Sequence, residues 1–566
     1  TTVTGTDDTT TDDSSDSPVD SDCDPVPEVC DGMDQDCDDA VDEGIPGDGQ
    51  GCPEPDPPTL GETASSVQFT LHAWDTTYAG TDDTLSVCLT GGDCFTLARP
   101  DWNDNEPGVY EVYDFPGQTL TAADLVGAVL HTNDGGDQYR PQCIAASLDG
   151  LPQSCSLFED IKVGTDDDDE VQDLPIGDAV SCTGCWSAPL THGPMLGALE
   201  STALTFWTRL DATRRLDVYV GRPGETATRA HTTYPSWEND FTSQVRIQGL
   251  APGDWSVRVD VDGAAQGTWT VTLPEPSETL KFAFGSCSKD AEQPIFDVIG
   301  AWDPDLFLFV GDNHYGNTAD LGAHRQHYRY MLEIDDRAEF LAHTPVLATW
   351  DDHDFVGNNT DATDPGGDVA LDAFREYWPT VSTGTESVPG AYSRHRVDDV
   401  EFFLVDDRMY RGMADTMLGT QQMAWLRDAL SSSDATFKFV ACGSQWTEHG
   451  SSDSWAAFDD DRQAFHAWLE DQQVGGVFLL SGDVHRSELR DDPTVSWRMP
   501  EWTSSPLATW NSGCKGTAVS CLDEGTSFVG VQVDLSVDDP TATGTIYDSD
   551  GNAVASMTVA RSELGP

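Results

Sequence analysis

Thiol, phenol, carboxylate, imidazole and amide side chains gather in six short blocks of the second half of this chain. The blocks are Gly285-Ser286-Cys287, Gly311-Asp312-Asn313-His314-Tyr315, and Trp350-Asp351-Asp352-His353-Asp354 with Asn358 just beyond. They continue as Asp406-Asp407-Arg408-Met409-Tyr410, the run from Leu418 to Leu426, and Ser481-Gly482-Asp483-Val484-His485. Carboxylate and amide oxygens suit hard cations such as calcium or magnesium, whereas thiolate, phenolate and imidazole suit iron or zinc. Two cations bridged by a carboxylate acidify a bound water and clamp a phosphoryl oxygen. Taken singly most blocks are weak signals, because a lone Cys after a strand is usually a small buried hydrophobe. The run from Trp350 to Asp354 differs, since four adjacent ionisable groups after a buried strand are expensive unless they meet cations or water.

Five of the six blocks end a short apolar stretch. Lys281-Phe282-Ala283-Phe284 leads into the first, Asp305–Val310 into the second, Pro345–Thr349 into the third, Glu401–Val405 into the fourth and Gly475–Leu480 into the last. Such runs predict fully buried strands. Helical patterns over Gly322–Phe340, Gly419–Leu430 and Arg462–Gln473 lie between them. Strands alternating with helices predict an α/β layered domain, which binds ligands beyond the carboxyl ends of its strands.

The first half reads differently. Residues 1–22 are a Thr/Asp/Ser tract expected to be a disordered stalk, and 23–58 a Cys/Asp-rich module ending in a stiff proline run. Over 66–162 polar and apolar residues alternate between Gly/Asp turns, which predicts a β-sandwich, and the acidic run Asp166–Glu170 predicts a linker. Residues 187–275 repeat the all-β texture and predict a second, smaller sandwich before a catalytic domain over 279–566.

Asp and Glu number 101 against 28 Lys and Arg, for a net charge of −73. That surface repels nucleic-acid phosphates, which excludes a general nucleic-acid binder. It suits solubility in a salty medium, and its oxygens suit calcium. The 14 cysteines fall in close neighbours at 23, 30, 37 and 52, at 88 and 94, at 143 and 155, at 182 and 185, and at 514 and 521. These short-range sets predict disulfides, leaving Cys287 and Cys442 over; Cys182 and Cys185 are expected to pair, with a redox or metal pair as the alternative. No apolar stretch is long enough for a transmembrane helix. A secreted or cell-surface protein, whose signal segment is absent from this chain, is the expected localisation.

The six blocks, in their order and spacing, resemble the PhoD-like family of alkaline phosphatases and phosphodiesterases over about residues 190–560. The resemblance implies a four-layer α/β/β/α metallophosphoesterase core preceded by a β-sandwich. It also implies ferric iron and calcium as cofactors. Carried over by motif position, Cys287, Asp312 and Tyr315 would bind iron, with Asp312 bridging to calcium. Asp352, Asn358, Asp483 and His485 would complete the metal set. Many members have Glu where this chain has Asp354, and the Asn-containing stretch leaves Asn358 and Asn359 as alternatives. A metal-activated hydroxide would then attack phosphorus, with His353 protonating the leaving group and Arg408 gripping phosphate oxygens. The substrate implied is a phosphomonoester or phosphodiester.

Residues 66–155 resemble a PLAT sandwich through Thr70-Leu71-His72-Ala73-Trp74-Asp75, Ala79–Leu85 and Asp134-Gly135-Gly136-Asp137, which implies a lipid or protein partner. The stretch Cys30–Gly44 resembles the MopE-like, Asp-rich and Cys-flanked metal-binding motif of exported proteins. Asp34, Asp36 and Asp38 imitate the start of a calcium loop, but Asp39 and Ile45 break the EF-hand pattern. Two alternatives stand beside the phosphoesterase reading: a phospholipase D-like phosphodiesterase, and an inactive calcium-stabilised surface adhesion protein.

Overall fold

The computed structural model describes residues 55, 57–73, 85–89, 91–98, 110–126, 128–132, 141–157 and 185. It also describes 188–566, apart from 381–382, 386, 448–452, 493–494 and 515–519. The expected stalk, nearly all of the Cys/Asp module, the acidic linker and most of the PLAT-like motif lie outside the described residues.

Period-2 patterning builds the N-terminal part. Ala64–Ala73 is flanked by Tyr110–Leu120 and Pro141–Leu148, with Leu151–Leu157 outside the latter. A second sheet orders Cys94–Leu97, Leu85–Cys88 and Val129–Thr132. Phe69 and Leu71 of the first sheet share one core with Val87, Phe95 and Leu130 of the second, which is how a sandwich hides one face of each sheet. Residues 190–273 repeat the scheme with a four-stranded and a three-stranded sheet around Phe206, Val218, Val257 and Val259.

The cysteine pairing departs in part from the close-neighbour expectation. Cys88–Cys94 and Cys514–Cys521 pair as expected, but Cys143 bonds to Cys185 across 42 residues. The strand register explains this, because Cys155 lies opposite Ala145 and Cys143 opposite Leu157. The expected Cys182–Cys185 pair is thereby corrected. Cys287 and Cys442 are free and buried.

Two sheets carry the rest of the chain. One orders Val346–Thr349, Leu306–Val310, Thr279–Gly285, Ser527–Asp534, Thr541–Asp548 and Ala553–Ala560. Its first three strands are parallel and the others antiparallel. The other sheet has seven strands, with Val400–Leu404, Phe437–Ala441, Val477–Ser481 and Pro500–Thr503 parallel at its centre. Phe282, Leu308 and Val531 of the first sheet share a core with Phe402, Phe439 and Phe478 of the second. Alternation then turns Ala283, Phe307 and Phe309 the other way, onto Phe296, Phe340 and Phe374 of helices Ile295–Trp302, Asp335–His343 and Gly367–Tyr377. On the second sheet Phe403, Val440 and Leu479 meet Leu426 and Phe465 of helices Gly419–Ser432 and Asp459–Gln472. The helix expected over 322–340 is two helices, Leu321–Leu332 and Asp335–His343, because Ile334 is extended (φ −73°, ψ 112°). The second helix places Arg337 on Ser288 Oγ (2.9 Å) and the Asn313 carbonyl (3.2 Å), beneath the strand ends.

The second sandwich is fastened to these helices by a buried cluster. Asp240 accepts from Arg209 Nε (3.1 Å) and Nη2 (2.9 Å), from Arg329 Nη1 and from the Tyr377 hydroxyl.

Candidate metal centre

Parallel neighbours in the first sheet end side by side, so consecutive crossovers deliver their polar residues to one edge. Cys287 N–H donates to the Gly311 carbonyl (3.3 Å) and Ser288 N–H to that of Asp312 (2.8 Å). Little room is left between strand ends. A Cβ on Gly311 would lie 2.4 Å from Asp351 Cβ, and one on Gly482 would lie 2.5 Å from Ser286 Oγ. Cys287, Asp312, Asp483 and His485 all have left-handed backbone, with φ of 60°, 52°, 64° and 52°. Non-glycine residues hold that conformation only where the surroundings impose it.

Asp312 is the hub. Its Oδ2 lies 3.3 Å from Cys287 Sγ and 3.2 Å from the Tyr315 hydroxyl, which is itself 3.2 Å from His485 Nε2. Its Oδ1 accepts from the His353 N–H at 3.4 Å. Donor atoms of Cys287, Asp312 and His485 lie within 4.8 Å of one another, as do those of Asp312, Asp352 and His353. Asp312 thus belongs to two groups of ligand type. The Tyr315 and His353 rings stack with centroids 4.1 Å apart, and His353 Nδ1 lies 2.5 Å from Asn317 Oδ1. Asp483 contributes its carbonyl, 3.6 Å from Cys287 Sγ. Asn358 is exposed, and that turn meets the cluster through the Gly357 N–H on the Asp352 carbonyl (2.9 Å) and the Asn359 N–H on Asp352 Oδ2 (2.6 Å).

Electrostatics tests whether these residues fit cations. Burial, then Cys287 and three further aspartates, hold the Asp312 carboxyl well above its usual range. Burial pushes the Cys287 thiol up to about 12, and burial with Cys287 and Asp312 raises the Tyr315 phenol further. Burial and then His353 hold the His485 imidazole down at about 4. Asp351 Oδ2, Asp352 Oδ1 and Asp407 Oδ1 are buried without a hydrogen-bond partner. An anion cluster of this kind is costly alone and becomes favourable around positive charge. The residues therefore fit a pair of cations, one facing soft donors and one facing carboxylates.

Arg408, expected to grip phosphate oxygens, lies beneath the aspartates. Its guanidinium is fully buried and already occupied. Nε donates to Asp351 Oδ1 (2.6 Å), Nη1 to Asp453 Oδ1 (3.1 Å) and the Thr360 carbonyl (3.3 Å), and Nη2 to Asp453 Oδ2 (2.9 Å) and Ser444 Oγ (3.0 Å). It is a counter-charge to Asp351 and Asp453. Sequence reasoning missed Asp453, one acidic residue among many in a loop, and assigned no role to Asp351. Asp354, inside the Trp350–Asp354 run, proves to be a clamp: it accepts the N–H groups of Asn313 (2.7 Å), His314 (3.3 Å) and Asp351 (3.0 Å).

Comparison with known proteins agrees with this geometry. Residues 282–504 match the family model described as PhoD-like phosphatase. Alkaline phosphatase D of Bacillus subtilis (strain 168) is 23% identical over 280 residues, covering 38% of this chain and 48% of that protein. The chain thus spans about half the length of that curated relative. The solved structure of PhoD superposes with a TM-score of 0.57 at 19% identity, covering 67% of this chain and 94% of that one. A purple acid phosphatase from yellow lupin (Lupinus luteus) seeds superposes with a TM-score of 0.52 at 12% identity, covering 88% and 93%. At these identities the superpositions speak for the fold alone, whereas the matched segment contains all six polar blocks whole. Over residues 282–504 the chain is thus similar to the PhoD-like phosphatase family.

Proposed function

We propose that this protein is a metal-dependent phosphoesterase hydrolysing phosphomonoesters or phosphodiesters in the domain over 279–566, a four-layer α/β/β/α unit. The observation that carries the reading is the shared position of Asp312 between a thiol–imidazole group and a carboxylate–imidazole group. Cys287, Asp312, Tyr315 and His485 would hold ferric iron, and Asp312, Asp352, Asp483 and the turn at Asn358 would hold calcium. When bound, the cations supply charge to neutralise the phosphoryl group and to acidify water. Tyr315 stacked on His353 fixes the imidazole plane, and Asn317 Oδ1 takes the proton on Nδ1. Nε2 is then the atom through which the doubly protonated ring would pass a proton to the leaving oxygen, returning to the neutral Nδ1–H form. Asp354 holds the Asn313–His314 turn and the Asp351 N–H in register, so that the second and third blocks meet across Asp312. Arg408 balances Asp351 and Asp453 from below.

Export belongs to the same proposal. It is supported by three disulfides among the described residues and by the acidic composition, and among the same residues no helix is long and apolar enough to cross a membrane. Binding of lipid or protein by the sandwich over 66–162 rests on its PLAT resemblance. The deciding experiment measures metal content by mass spectrometry and phosphate release from a chromogenic ester, in wild type and Cys287→Ala. About one iron per chain with calcium, a tyrosinate colour, and loss of colour and turnover in the variant are expected. A metal-free, inactive wild type indistinguishable from the variant overturns the reading.

A further inference from the structure

Trp510 is out of place by ordinary packing rules. It is 61% exposed in a chain whose other aromatic side chains are mostly covered. Its position is nonetheless fixed. The segment Leu507–Ser512 is hydrogen-bonded into both ligand-bearing turns: Leu507 N–H to the Ser286 carbonyl (2.9 Å), Ala508 N–H to that of Cys287 (3.0 Å), and Ser512 N–H to that of His485 (2.9 Å). Lys289 N–H returns a bond to the Ala508 carbonyl at 3.0 Å. The indole meets the His485 imidazole at 83° with centroids 4.7 Å apart, and the Lys289 ammonium stands 5.9 Å from an indole ring centroid. Lys289 is exposed, and its charge reaches His353.

An open indole held rigidly at the rim of a charged centre has a free π surface and little conformational freedom to lose. A neighbouring ammonium matters more here than elsewhere, because Arg408 is buried under the aspartates and the chain holds only five lysines. We propose that Trp510 and Lys289 form the subsite for the leaving alcohol, and that it selects phosphate esters of planar aromatic alcohols. The ring of the alcohol lies on the indole, while Lys289 faces the anionic oxygens of the ester. This rests on the phosphoesterase reading, and names the substrate class of that same centre.

The test compares an aryl phosphate with glycerol phosphate, in wild type, Trp510→Ala and Trp510→Phe, each checked for metal content. The quantity read is the ratio of kcat/KM for the aryl ester to that for the glyceryl ester. Trp510→Ala should lower this ratio about tenfold, and Trp510→Phe should restore most of it. Calorimetry with phenylphosphonate and propylphosphonate gives the same comparison without turnover: the wild type should prefer the phenyl compound, and Trp510→Ala should lose that preference. An active wild type whose ratio and phosphonate preference are the same in Trp510→Ala overturns the subsite while leaving the phosphoesterase reading intact. A wild type that hydrolyses neither ester and binds neither phosphonate overturns both.

Discussion

Replacing Arg408 by Met separates two roles that an arginine at this position can have. Its fork holds Asp453 at 3.1 and 2.9 Å and Asp351 at 2.6 Å, all three side chains being buried. Met fills comparable space but leaves Asp351 without its cation and Asp453 with Arg411 at 2.8 Å. Breaking a buried pair by removing one partner costs about 3–5 kcal/mol. Burial already raises the Asp351 carboxyl, with Arg408 the main opposing influence, so in the variant it takes up a proton and the loss falls to the lower end, about 3 kcal/mol. With a urea slope of about 3 kcal/mol per molar, the midpoint should drop by about 1 M. Urea unfolding followed by tryptophan fluorescence reads this directly, with the metal-loaded protein and its chelated form in parallel. Arg408→Lys should recover only part, since an ammonium cannot reproduce the fork. Should Arg408→Met keep the wild-type midpoint and lose only substrate affinity, the counter-charge assignment is refuted and the guanidinium belongs with the substrate after all.

Three further outcomes are expected. Asp240→Asn leaves Arg209 and Arg329 facing a neutral amide and should cost about 3–5 kcal/mol in urea unfolding; a change under about 1 kcal/mol would show that the sandwich is not fastened by this cluster. Burial lowers the His324 imidazole to about 4 from its ordinary 6.5. Below pH 6.5 the unfolded chain binds a proton that the folded chain refuses, so stability present above pH 6.5 is lost as pH falls to 4. The share of this one group is about 3 kcal/mol. Comparing unfolding free energies at pH 7 and 4.5 in wild type and His324→Gln isolates it, and equal pH slopes would count against it. Gly482→Ala pushes a methyl to 2.5 Å from Ser286 Oγ and 2.7 Å from the Val310 carbonyl, which should cost about 1–3 kcal/mol and lower metal content per chain by mass spectrometry.

What could be read in advance was what depends on order along the chain. Phe307 and Phe309 alternate with Leu306, Leu308 and Val310, so the stretch announces a strand buried on both faces, and its next residues, Gly311 and Asp312, announce a site at its end. Parallel pairing does the rest, since adjacent strands of like direction end together. Facts that depend on distant partners were not legible. Asp453 reaches Arg408 from 45 residues away, and nothing about an aspartate in so acidic a chain marks it. The Cys143–Cys185 bond follows from strand register, which places Cys155 out of line. The break at Ile334 has no proline or glycine to signal it, and arises where Arg337 must reach Ser288.

The two unpaired thiols among the described residues impose a sequence of events on the making of this protein. Six described cysteines are oxidised, whereas Cys287 must arrive reduced if it is to serve as a ligand. Once folded it is shielded twice: its sulfur is out of reach of solvent, and its raised pKa leaves little of the thiolate that attacks disulfides or oxidants. Neither shield exists in the unfolded chain, where it competes with every other thiol on equal terms. Cys442, beside Asp407 and the Trp455 indole, is caught in the same way. The window of danger therefore lies before the two sheets close, and reduced refolding ahead of the oxidant is the order of steps under which both sulfurs survive.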